Sequence, residues 1–208
     1  MSIYELRKHK ERKVSNLKNL YELVSLESID SSFIIELRYA TQNNFVKKQV
    51  YPRNSKAYLQ KETALKLKKA NAIFKENGFT IKIWDAYRPL YVQKVFWEYV
   101  KDSRYVADPK IGSKHNRGAS IDITLVDKDG IELEMPTAFD DFTEKASINY
   151  LYHTEVARTN VKFMTRVMED CGFKGISSEW WHFDDVGWQK YPLLDISFEE
   201  LDINSIGQ

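Results

Sequence analysis

The spacing of hydrophobic positions changes period several times along the chain, and each change predicts an element. Residues 1–28 mix Lys, Arg and Glu with scattered leucines, the pattern of a short amphipathic helix or a loose charged arm. Over residues 29–39 β-branched and aromatic side chains accumulate, and Ile35, Leu37 and Tyr39 alternate as in a first strand. Ala40-Thr41-Gln42-Asn43-Asn44-Phe45 then reads as a loop. From 62 to 77 the period lengthens. Ala64, Leu67, Ala70, Ile73 and Phe74 recur at helical spacing, and Asn77-Gly78 supplies a stop. Phe79, Ile81 and Ile83 alternate again, Arg88-Pro89 interrupts, and Val92, Val95, Phe96, Tyr99 and Val100 mark the apolar face of a second helix. Arg88 is thereby placed at a strand-to-helix junction.

Further on, Ile121, Ile123 and Leu125 share one face of a strand, and Ser120, Asp122 and Thr124 share the other. Asp129-Gly130 turns the chain into Ile131, Leu133 and Met135, which predicts a hairpin with one polar face. A third helix is expected over 152–171 from Phe163, Met164, Val167, Met168 and Cys171, ended by Gly172, and a last strand over 180–184. No regular βαβ alternation emerges. The expectation is an α+β fold with a mainly antiparallel sheet, the charged segment 1–28 preceding one domain over 29–208.

Composition narrows the function classes. A chain of 208 residues can bury a sizeable core without disulfides. Its 31 basic and 30 acidic residues are dispersed, which argues against nucleic acid or an anionic membrane as partner and for a small ligand. The single cysteine, Cys171, ends an apolar helical pattern and reads as a buried small hydrophobe. No apolar run approaches a membrane span, and the basic N-terminal stretch has no apolar segment after it. A soluble cytoplasmic protein is the expectation, with a periplasmic one as the alternative if an export signal has been removed.

Four histidines, His9, His115, His153 and His182, limit any histidine-based site. His115 stands in Ser113-Lys114-His115-Asn116-Arg117-Gly118-Ala119-Ser120-Ile121-Asp122, where a turn at Gly118 can fold the imidazole back over the polar face of the strand carrying Asp122. His182 stands in Glu179-Trp180-Trp181-His182-Phe183, with a carboxylate three positions before it. Two histidines and one carboxylate form a ligand set that leaves the fourth tetrahedral position of zinc open, and a remaining carboxylate can serve as general base. Asp122, short and fixed on a strand, suits a ligand, and the longer Glu179 suits a base, but side-chain length alone does not decide between them. One condition attaches. On a regular strand Glu179 and His182 would point to opposite faces, so Glu179 has to sit in the preceding loop or at a bulge.

Arg88, in Trp84-Asp85-Ala86-Tyr87-Arg88-Pro89, offers either a guanidinium for a developing oxyanion or an ordinary salt bridge. Trp180 and Trp181 read as core and pocket wall, His9 as a solvated side chain, and His153 as structural or exposed.

The motifs Ser-x-His-x-x-Gly-x-x-x-Asp and Glu-Trp-Trp-His-Phe resemble those of the zinc D-alanyl-D-alanine dipeptidases of the VanX type, peptidase family M15. Tyr39-Ala40-Thr41 with Asn44-Phe45, Asp85-Ala86-Tyr87-Arg88-Pro89, Phe139-Asp140 and Gly172-Phe173 follow the same order, so the resemblance covers about residues 29–190. It implies one zinc per chain on His115, Asp122 and His182, Glu179 as general base and acid, and Arg88 stabilising the tetrahedral intermediate. It further implies Ser113, Tyr39 and Asp140 as substrate-positioning residues, with Asp141 as neighbouring rival to Asp140, and a dipeptide, D-Ala-D-Ala, as substrate. Two other functions compete: a D,D-carboxypeptidase or peptidoglycan peptidase of the same superfamily, and a zinc-binding module without catalysis.

Overall fold

The computed structural model describes residues 21–206; His9 and residues 1–20 of the expected arm lie outside the described residues. The rest of that segment belongs to the fold. Strand β1 (Leu23–Ser25) pairs antiparallel with β3 (Tyr58–Gln60), and Leu26, opening the short helix α1 (Leu26–Ile29), is fully buried.

The main sheet has five strands in the order β2 (Ile34–Ile35), β4 (Thr80–Asp85), β5 (Ser120–Val126), β7 (Glu179–Asp185), β6 (Phe173–Ile176). Only the β2–β4 pair is parallel; the other three pairs are antiparallel. Helices α2 (Lys61–Glu76) and α4 (Glu155–Asp170) contact one another and lie against β4 and β6, joined by ring contacts such as Phe74 on Phe163. Helix α3 (Leu90–Tyr99) follows β4 after the Arg88-Pro89 break, and α5 (Phe198–Ile206) ends the described chain. This is the expected α+β architecture with a mainly antiparallel sheet. No helix among the described residues is long and apolar enough to cross a membrane.

Several expectations need correction. The first strand is two residues long, because the chain turns through a 3-10 segment at Arg38–Ala40 that buries Leu37 and Tyr39 without pairing them to a neighbour strand. The hairpin after β5 closes with Asp127 N–H donating to Ile131 O, but its return limb amounts to one bridge, Val126 with Glu132, and Ile131 is exposed. Strand β5 keeps its expected polar face, and since all seven of its residues are buried, that face lies inside the protein. In α3 only Val92 and Phe96 of the expected apolar face are fully buried; Val95 and Tyr99 are exposed. Helix α4 starts three residues later than expected, where the Thr154 hydroxyl accepts from Ala157 N–H as an N-cap. Cys171 is buried, as its pattern predicts.

Candidate metal centre

Sheet register assembles the site. Asp122 on β5 stands opposite His182 on β7, and Ser120 stands opposite Asp184. Alternation puts all four side chains on one face of the sheet. His115 reaches them from the 3-10 turn His115–Arg117, which ends at Gly118 with φ +65°. A Cβ at Gly118 would lie 2.5 Å from the Leu23 side chain and 3.3 Å from the Gln60 backbone nitrogen, so this backbone shape demands glycine. Gln60 braces the same turn, its Nε2 donating to Arg117 O at 2.8 Å.

Within this frame His115 Nε2, His182 Nδ1 and Asp122 Oδ1 form a triangle with sides of 3.2, 3.0 and 3.4 Å. Tetrahedral zinc with its usual bond lengths would hold neighbouring ligand atoms about 3.4 Å apart, so the triangle has the size of one face of such a centre. The outer ring nitrogens are engaged as well. His115 Nδ1–H donates to Ala86 O at 2.7 Å and His182 Nε2–H to Asp184 Oδ1 at 2.9 Å. Since a carbonyl and a carboxylate can only accept, the inner nitrogens of the neutral rings present lone pairs. Three lone-pair atoms facing one another call for a positive charge between them. Burial lowers the pKa of His182, but its bonds to Asp122 and Asp184 carry it well above the ordinary imidazole value. Burial likewise opposes ionisation of Asp122, yet the two imidazoles hold its carboxyl far below the usual range. This donor set fits a divalent metal, and it is the one cluster of its kind among the described residues.

Glu179 meets the condition placed on it. The pairing of β6 with β7 runs regularly from Phe173 with Asp185 to Gly175 with Phe183, then jumps to Ile176 with Glu179. The extra residues form a bulge that reverses the facing of Glu179, and it lines the same cavity as His182. Half-buried there, its carboxyl is raised in pKa by burial above all, with the Asp122 charge acting in the same direction.

Arg88 is no surface salt bridge. It is buried beside the cavity, with Nε and Nη2 both donating to Asp85 Oδ2, at 3.1 and 2.6 Å, and Nη1 donating to Gln93 Oε1 at 2.8 Å. Its guanidinium also lies over the rings of Tyr39 and Phe96. Asp140 accepts from Tyr39 Oη at 2.9 Å and from Phe45 N–H at 3.2 Å, and it occupies φ +60°, a conformation costly for a residue with a Cβ. Burial pushes its carboxyl up to about 7 despite those two bonds. Asp141 instead accepts from Thr143 N–H in a local turn, and Asp140 is the one of the pair that lines the cavity. Ser113, whose Oγ accepts from His115 N–H, lines it too, as does Trp181; Trp180 is buried in the core. His153, half-buried, bonds Lys145 O and takes no part.

All eight residues singled out from sequence therefore border one cavity of about 250 Å³: Tyr39, Arg88, Ser113, His115, Asp122, Asp140, Glu179 and His182. Sequence reading missed two carboxylates beneath them. Asp184 follows His182 by two positions on the same strand face, a signal in plain view, whereas Asp85 joins the site through a register shift in β4 that no pattern announces.

A family model described as D-ala-D-ala dipeptidase, Peptidase_M15, matches residues 19–199. The D-alanyl-D-alanine dipeptidase of Escherichia coli (strain K12) is 38% identical over 180 residues, covering 85% of this chain and 91% of that protein. The D-alanyl-D-alanine dipeptidase of Enterococcus faecium is 30% identical over 171 residues, 71% of this chain and 83% of that protein. Among solved structures, vancomycin resistance D,D-dipeptidase VanXYg in complex with a D-Ala-D-Ala phosphinate analog aligns at a TM-score of 0.41 with 20% identity, over 90% of this chain and 72% of that one. That last likeness is too distant to bear on the site.

Proposed function

We propose, since this chain belongs to the Peptidase_M15 family of D-Ala-D-Ala dipeptidases, that it hydrolyses the dipeptide D-Ala-D-Ala to two D-alanines with one zinc ion held by His115, Asp122 and His182. The observation that carries this reading is the convergence of a zinc-sized ligand triangle and the bulged Glu179 on a single cavity. A zinc ion there would polarise the scissile carbonyl and lower the pKa of water.

The side chains supply the rest. Glu179 takes the proton from the attacking water and passes it to the departing amine, a task suited to a carboxylate whose proton affinity burial has raised. Arg88, kept oriented by Asp85 and Gln93, faces the charge that develops on the carbonyl oxygen. Asp140, with Tyr39 behind it, suits the terminal ammonium of a free dipeptide, and the Ser113 hydroxyl its carboxylate. A cavity of about 250 Å³ suits a small ligand such as a dipeptide.

Incubation with D-Ala-D-Ala, and separately with a pentapeptide ending in the same pair, separates the rival activities. Release of D-alanine from the dipeptide with the pentapeptide left intact is expected. Preference for the pentapeptide would make the chain a carboxypeptidase, and zinc binding without hydrolysis of either would make it a binding module.

A further inference from the structure

Beneath His182 lies a carboxylate that the chemistry above does not use. Asp184 is almost fully buried, and three donors converge on it. His182 Nε2–H reaches its Oδ1 at 2.9 Å, the Ser120 hydroxyl reaches the same oxygen at 2.5 Å, and the Lys114 ammonium reaches Oδ2 at 2.5 Å. Both of its oxygens are thereby occupied by donors.

The two imidazoles of the triangle turn different nitrogens inward. His115 offers Nε2 and leans its Nδ1–H on a backbone carbonyl, whereas His182 offers Nδ1. A histidine on a strand could equally point its Nε2 at the cross-strand Asp122. Asp184 prevents this, because its Oδ1, two residues along the same face, accepts from His182 Nε2–H at 2.9 Å and so holds that nitrogen away from the triangle. Ser120, paired with Asp184 across the strands, pins the accepting oxygen in place.

We infer that Asp184, clamped by Ser120 and Lys114, is a positioning residue that fixes the tautomer and ring orientation of His182 and thereby sets the affinity of the centre for its metal. The inference rests on the zinc reading above and extends it to a residue that touches neither metal nor substrate. Groups of this kind typically change metal affinity by about 10–100-fold when removed.

The test is zinc affinity, measured by competition with a chromophoric chelator, for the full-length protein and for Asp184→Asn and Ser120→Ala. Asp184→Asn keeps the side-chain shape and loses the charge, and should weaken zinc binding about 10–100-fold. Ser120→Ala, which removes one hydroxyl and leaves the ligands and carboxylate in place, keeps the test available should Asp184→Asn fold poorly; it should weaken binding less, but by more than about twofold. With zinc raised to saturation, D-Ala-D-Ala hydrolysis by Asp184→Asn should recover to within about tenfold of the unaltered chain, which a general structural lesion would not allow. Affinities of both variants within about twofold of the unaltered protein would overturn the role. An unaltered protein that binds no zinc would instead overturn the function proposed above.

Discussion

Replacing Glu179 with alanine is expected to lower the turnover of D-Ala-D-Ala by about 10²–10⁴-fold, the range that a positioned general base contributes, while zinc stays bound. The two halves of this expectation come from different parts of the geometry. The triangle of His115, Asp122 and His182 is complete without Glu179. Glu179 stands on the other side of a bulge, lining the cavity rather than closing the triangle. Glu179→Gln, which keeps size and polarity but cannot take a proton, should lose activity to a similar extent. Steady-state kinetics and metal analysis on the same samples check this. Activity within tenfold of the unaltered protein, or loss of the metal, would remove Glu179 from its assigned role.

Arg88→Ala should act on two quantities at once. Removing a preorganised donor from a developing oxyanion costs about 10²–10³ in kcat. The same change strands Asp85, which is fully buried: Tyr51 Oη still donates to its Oδ1, but both guanidinium donors on its Oδ2 are gone. Breaking a buried ion pair by deleting one partner costs about 3–5 kcal/mol, a large share of the stability of a domain this size. Arg88→Lys keeps the charge but cannot make the forked contact to Asp85 and reach Gln93 as well, so it should rescue little of either loss. Thermal unfolding and kcat measured side by side check the pair of effects. A variant that melts normally and retains full kcat would return Arg88 to the rank of an ordinary salt bridge.

How far the sequence reveals this molecule depends on the range of the physics behind each feature. Helix α2 was legible to within a residue because Ala64, Leu67, Ala70 and Phe74 all face the core and Asn77-Gly78 ends the helix locally. The C-terminal part of residues 29–39 reads as strand in the sequence because Leu37 and Tyr39 are buried by packing around a 3-10 turn, and burial mimics the alternation of a strand. Strand β5 showed its alternation but not that both faces are covered, since what covers the polar face comes from distant loops. At the site, residue types and spacing were enough to gather the ligands and to require a bulge near Glu179. They could not tell which register would provide that bulge, nor that Asp85 would slide beneath Arg88 through a shift in β4.

The central claim, a single catalytic zinc on His115, Asp122 and His182, is tested most directly by stripping the protein of metal with a chelator and titrating zinc back while following D-Ala-D-Ala hydrolysis. Activity should be absent from the stripped protein, rise linearly with added zinc and stop rising at one equivalent per chain. Hydrolysis that persists without metal, or zinc that binds with no return of activity, would contradict the account.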